Sequence, residues 1–232
     1  MKHLIETIDS SSLPIVEYDR LILNSTTNDV LVRGGVTYEY VNLGLPSGLK
    51  WAKCNIGAET ETDYGDFFMW GSVTPNTPDE CTWAKAPFNG GASDYDSGYF
   101  NSVKDTVCPN NVLAKEYDAA TQIMGSDWRM PTQTEIQELL DNTKHEWVTN
   151  YNGTGVNGRQ FTSKINGNTI FIPAAGDCRG GSVSLVGNYG RVWSSSLYTS
   201  DPYNAWYLYF SSGCRMYNIN RYYGQSVRGV RK

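Results

Sequence analysis

The sequence predicts an α+β protein in which two helices sit among short antiparallel sheets and much irregular loop. Only two stretches carry helical spacing with recognisable ends. The strand-like runs are short and punctuated by Gly, Pro and Asn, and one pair of them flanks Asn166-Gly167, a hairpin signal. At 232 residues the chain can bury one substantial core.

Residues 1–37 alternate small apolar patches (Leu13 to Val16, Leu21 to Leu23, Val30 to Val32) with polar turns such as the one at 24–29. They offer too little apolar surface to fold alone. They read as an attachment or homo-oligomerisation segment, or equally as a strand pair docked on the main domain, residues 38–232. That domain opens with YEYVNLGLPSGLKWAKCNIGA, strand-like residues broken by Gly44, Pro46 and Gly48. Loop-rich sequence runs on to about Asn111. VLAKEYDAATQIMG, Val112 to Gly125, reads as a helix that Gly125 ends. TQTEIQELLDNT reads as a second, because Thr132 and Glu135 stand at capping-box spacing behind Pro131. QFTSKI and NTIFIPA then form a hairpin with a two-residue turn, and RVWSSS, AWYLYF and SVRGVR supply further strands.

No run of about 18 apolar residues is present, so no helical membrane insertion is expected. Glu6 and Asp9 interrupt the amino terminus before any apolar stretch reaches signal-peptide length. The five cysteines are widely spaced without a CxxC and read as buried free thiols; with only His3 and His145 beside them, neither a zinc site nor a disulfide framework is suggested. No nucleophile, phosphate-loop or dinucleotide motif occurs, and no cofactor is implied. His145 reads as a solvated surface residue. Asp63 with Asp66 and Asp94 with Asp96 read as turn formers, so no metal is expected.

Charge and composition divide the chain. From Asn168 onward seven basic residues oppose Asp177 and Asp201, a net +5, which leaves −10 on residues 1–167 of the overall −5. A nucleic-acid surface would be richer in Lys than this, and that partner is not expected. From Ile165 to Arg231 there is no Lys and no Glu, while eight of the 16 tyrosines fall in the last 44 residues among Ser, Gly, Asn and Arg. These residues suit a recognition surface. Tyr presents a rigid amphipathic face, Arg a planar fork, and Ser and Asn adaptable hydrogen bonds, whereas Lys and Glu are costly to immobilise and desolvate. In NAWYLYFSS, Trp206, Leu208 and Phe210 alternate with Tyr207, Tyr209 and Ser211. The first row reads as core and the second as facing a ligand.

The run YVNLGLPSGLKWAKCNIGA, then DYGDFFMWG, DWRMPTQTEIQELL, FIPAAG, VWSSS and YYGQSVRGVR resembles, over about Tyr40 to Arg231, a domain family of gut-bacterial surface proteins and their phages. That family has a C-type lectin fold related to formylglycine-generating enzymes. Its carboxy-terminal part resembles the variable region of diversity-generating retroelement proteins, where template adenines are copied with errors. The resemblance implies a variable region at about 176–231 and a non-catalytic ligand-binding domain: a phage tail receptor-binding protein, carried on a virion, or an adhesin lipoprotein of the bacterial surface. Its partner would be a bacterial surface protein or glycan. Randomised adenines in an Asn codon can yield Tyr, Ser, Asp, Cys, Ile, Arg, Gly or His but never Lys, Glu, Gln, Met or Trp, which gives the missing Lys and Glu a genetic cause as well.

On this reading Asp177, Arg179, Tyr189, Tyr207, Tyr209, Ser211, Cys214, Tyr217, Asn218, Ile219, Asn220, Tyr222 and Tyr223 are diversified. With Ser182, Ser184 and Tyr203 they make up the expected ligand-binding set. Trp193, Trp206, Leu208, Phe210, Gln225 and Val227 are scaffold, and Cys178 is a further product of the same variation. The Glu-Pro-Asn and Trp-Asn-Asp signatures of calcium-dependent lectins and the flanking pattern of the enzymes' paired cysteines are missing, so a formylglycine-generating activity is the lesser alternative.

Overall fold

A computed structural model describes residues 30–33 and 36–232, with side chains from Tyr38 onward. The patches expected at 13–16 and 21–23 and the turn at 24–29 lie outside the described residues. The described chain folds as α+β, with small antiparallel sheets, three α-helices and long loops.

Four strands form the first sheet. β1 (Val30–Arg33) pairs with β2 (Val36–Asn42), β2 with β3 (Lys50–Ala52), and β3 with β12 (Val230–Arg231), so the two ends of the domain meet. β2 runs across the expected boundary at 37/38. SVRGVR is a strand only in its last two residues. The turn between β2 and β3 needs Gly44 and Gly48 at φ +65° and +74°, and it drops Leu43, Leu45, Leu49 and Trp51 into the core.

Helix α1 (Ser97–Val107) was expected as loop. Its start is set by Asp96, whose carboxylate accepts the Tyr99 amide at 2.9 Å, and it buries only Phe100 and Val107. Helix α2 is confined to Ala119–Met124, shorter than the expected Val112 to Gly125. Val112 and Leu113 instead bond the strand around Ser195 and Ser196, and Lys115–Tyr117 make a single 3-10 turn. Asp118 then caps α2, and Gly125 ends it at φ +102°. Helix α3 (Gln133–Asn142) matches the sequence reading. Thr132 and Glu135 close a capping box, a Glu135–Arg129 fork at 2.5 and 2.7 Å braces it, and Ile136, Leu139 and Leu140 are buried.

A second sheet joins β4 (Thr143–Val148), β5 (Gly158–Ser163) and β6 (Thr169–Pro173). The β5–β6 hairpin is present, but its loop is wider than two residues. The Ser163 hydroxyl accepts the amides of Ile165 and Asn166, and Asn166 accepts that of Asn168, so side chains close the turn. His145 is half-buried on β4 against Arg159, and burial, then that guanidinium, lowers its pKa.

The third sheet holds β9 (Gly190–Leu197), β10 (Asn204–Phe210) and β11 (Cys214–Asn220) in the order β11-β10-β9. A short hairpin of β7 (Asp177–Arg179) and β8 (Ser182–Ser184) lies apart. The sheet lies between two apolar clusters, one around Trp70, Phe100, Trp128 and Trp193, the other around Trp51, Ile136, Phe161 and Ile172. β10 feeds both. Ala205 and Tyr207 enter the first cluster, Leu208 and Phe210 the second. Leu208 and Phe210 are core as expected, Trp206 is half-buried, and Tyr207, expected on the outside, is inside. Two arginines complete the interior. Arg228 donates to Asn55 Oδ1 and to the carbonyls of Ala52, Lys53 and Phe171, while Arg221 stacks 4.0 Å over Phe100 and bonds the Pro202 carbonyl.

Candidate functional site

β10 and β11 pair in register with Tyr207 opposite Tyr217 and Tyr209 opposite Arg215. Directly paired residues share a sheet face, so Tyr207, Tyr209, Arg215, Tyr217 and Ile219 form one face. Cys214, Met216 and Asn218 turn to the other, opposite Phe210, Leu208 and Trp206. The expected set therefore divides across the sheet: Cys214 packs against the second cluster, and burial raises its thiol to about 11.

On the first face the side chains touch in an unbroken series. Tyr189 and Tyr209 have ring centres 5.8 Å apart, Tyr209 and Tyr207 6.5 Å, and Tyr207 and Tyr217 6.2 Å. Arg215 lies over both Tyr209 and Tyr217, and the Tyr209 and Ser211 hydroxyls are 3.1 Å apart. Arg191 lies over the Tyr207 ring and pairs with Asp177 at 2.5 Å. Asp177 also pairs with Arg179 at 3.5 Å, and Arg179 donates to the Tyr223 hydroxyl at 2.6 Å. From there the rings of Tyr223, Tyr222, Trp83, Tyr95 and Tyr203 continue, with centres 4.7, 5.0, 5.4 and 5.8 Å apart in turn.

Most of the expected residues are accessible: Arg179, Ser182 and Tyr217 are exposed, and Ser184, Tyr189, Tyr203, Tyr209, Ser211, Cys214, Asn218, Ile219, Asn220, Tyr222 and Tyr223 are half-buried. Two corrections are needed. Asp177 is 0% exposed and Tyr207 2%, so neither reaches a ligand on this surface. Asp177 is enclosed because two guanidiniums compensate its charge, and Tyr207 because it sits on the central strand with a core against its face. Burial pushes the Tyr207 phenol up to about 12 against the pull of Arg191. Tyr222 is raised to about 12 as well, by burial and its bond with Tyr223. Cys178 is also fully buried, as are Trp193, Gln225 and Val227.

The sequence reading missed Trp83, Tyr95, Arg191 and Arg215. Trp83 stands in a Pro- and Gly-rich loop with few apolar neighbours, and such an isolated large ring was the available signal. Arg221, buried among Trp70, Trp83, Tyr95 and Phe100, supports this end from beneath; burial lowers its pKa to about 10. A cavity of about 640 Å³ lined by Tyr38, Lys53, Cys54, Glu59 and Met124 shares no residue with the tyrosine series.

The family model described as Lcl C-terminal domain matches residues 44–231, from the turn after β2 to the last strand. The chain belongs to the Lcl C-terminal domain family. No curated protein and no solved structure matches it. The matched span of this Lcl C-terminal domain contains the whole tyrosine series from Trp83 to Tyr223. Membership fits a variable, adhesin-type domain of the lectin-fold kind, a family related to the one that the sequence resembles.

Proposed function

We propose that this Lcl C-terminal domain is a non-catalytic binding module with a C-type-lectin-like fold. Its tyrosine, serine, asparagine and arginine surface is diversified by a retroelement and docks on a protein or glycan of a bacterial surface, with the chain acting as a phage tail receptor-binding protein. One observation carries the reading: a continuous series of rings and guanidiniums links β11, the β7–β8 hairpin and the loop holding Trp83, with its accessible members resting on the buried Asp177 and Tyr207 and the half-buried Arg191 that joins them. A prop of this kind fixes aromatic anchors in advance, so little side-chain freedom is lost on contact. Binding that depends on a few such anchors gains from several copies on one particle.

The test replaces Arg179, Tyr217, Tyr222 and Tyr223 together by Ser and measures adsorption of the labelled protein to a panel of gut-bacterial cells. The substituted protein is expected to keep its circular dichroism spectrum and to lose about tenfold or more in adsorption, since hot-spot anchors contribute about 2 kcal/mol or more each. Undiminished adsorption would exclude this surface. A near-copy of the segment encoding about residues 176–231, differing only at template adenines, is expected beside the gene with a reverse transcriptase; a fixed neighbourhood without either removes the diversification.

A further inference from the structure

Cys81 and Cys178 are 97 residues apart in sequence, yet their sulfurs lie 2.9 Å from each other and both residues are fully buried. The backbone holds them there from both sides. Cys178 exchanges two 2.8 Å amide-to-carbonyl bonds with Gly224, Gly180 donates to the Cys81 carbonyl, and Gly181 donates to that of Pro78. Gly224 leaves the space open, because a Cβ there would come within 2.7 Å of the Cys81 sulfur and 2.9 Å of the Cys178 Cβ. A disulfide bond is about 2.05 Å long, so the sulfurs need approach by only about 1 Å, a change within the reach of side-chain torsions.

We infer that Cys81 and Cys178 are a disulfide site: exposed to a small-molecule disulfide such as oxidised glutathione, they form an intramolecular cross-link. In the first exchange a cysteine thiolate attacks the oxidant's disulfide, forming a mixed disulfide and releasing one thiolate. The second cysteine loses its proton and displaces the other half. Two thiols of the protein become one disulfide, and one oxidant disulfide becomes two thiols. Either cysteine can attack first, since the hydrogen bond from Cys81 that lowers the Cys178 thiol exists only in the packed pair. Both sulfurs are shielded, so the exchange proceeds while the β7–β8 hairpin is open or before it has packed. The cross-link then ties the strand carrying Arg179 to the loop carrying Trp83, two segments of the aromatic series.

The experiment incubates the reduced full chain with oxidised and reduced glutathione, blocks remaining thiols under denaturing conditions, and maps peptides by mass spectrometry. The expected product joins the Cys81 peptide to the Cys178 peptide, with Cys54, Cys108 and Cys214 all alkylated. Cys81 and Cys178 recovered as free thiols, as glutathione adducts, or joined to other cysteines overturns the inference. As a second readout, dithiothreitol is expected to lower the melting temperature of the oxidised protein and leave that of Cys178→Ser unchanged. Should Cys178→Ser fail to fold, the peptide map of the unsubstituted chain decides alone.

Discussion

β10 and β11 are neighbours in one sheet and set Tyr207 directly opposite Tyr217, yet they do opposite things. β10 is central and has a core against each face, so its two rows are both largely interior. β11 is the edge strand, and Arg215 and Tyr217 emerge from the face that on β10 is closed. Period-2 alternation shows that two rows point in opposite directions; it does not show whether anything is packed on the second row. The difference between the strands comes from their places in the sheet, and the buried strand is what orients the exposed one.

The same contrast holds for arginine, and there the largest effect is expected. Arg228 is fully enclosed and supplies donors to Asn55 Oδ1 and three carbonyls, whereas Arg215 lies exposed over two tyrosine rings. Arg228→Met keeps the apolar stem but leaves those acceptors without donors, at about 1 to 3 kcal/mol each. Together this approaches the whole stability of a domain, about 5 to 15 kcal/mol. Loss of cooperative unfolding in urea is expected, while Arg215→Met should unfold like the parent. Equal midpoints for both variants would break the comparison.

Tyr207→Ala comes next. Removing a large buried aromatic should cost about 3 to 5 kcal/mol, read as a lower urea midpoint. The phenol also gives a pH signature. Its folded pKa is raised from 10.0 to about 12, so the neutral form contributes stability that is complete below about pH 10 and disappears as pH rises towards 12. Alkaline titration of tyrosinate absorbance should show late-ionising phenols, one fewer in Tyr207→Phe. A titration curve for Tyr207→Phe that retains every late phenol would place Tyr207 in contact with solvent.

Helix α3 was legible because its determinants are local. Thr132 and Glu135 are three residues apart and bond each other's backbone amides, so the sequence carries the whole device. Thr132→Ala is expected to cost about 1 kcal/mol by urea denaturation. A loss as large as that of Tyr207→Ala would mean that the cap also holds the core. The β5–β6 hairpin and the core positions Leu208 and Phe210 were legible for the same reason, through the Asn166-Gly167 turn signal and alternation, whereas Trp193 was expected as scaffold from the family resemblance alone. The burial of Arg228 was not, because its partners at Asn55, Ala52 and Phe171 are 173, 176 and 57 residues away. Helix α1 was hidden by its short apolar stripe, and the burial of Asp177 by its pairing with Arg191, which only the fold brings to it. Trp83 joins the tyrosine series through Tyr222 and Tyr95, contacts that no spacing in the sequence records.

The smallest stability effect and the sharpest contrast fall on Tyr217. It faces Tyr207 directly across the strand pair, with ring centres 6.2 Å apart, yet it is 49% exposed where Tyr207 is 2%. Tyr217→Ala opens no cavity, since solvent already occupies much of its surroundings; the unfolding free energy should change by about 0.5 kcal/mol. What the substitution removes is a rigid ring held between Arg215 and the Tyr207 edge, so under the proposed function its effect is expected in adsorption to bacterial cells. A Tyr217→Ala protein as destabilised as Tyr207→Ala would mean that both strands are core and that the sheet displays nothing. Unchanged stability with weakened adsorption assigns the two tyrosines, one pair across one ladder, to support and to recognition.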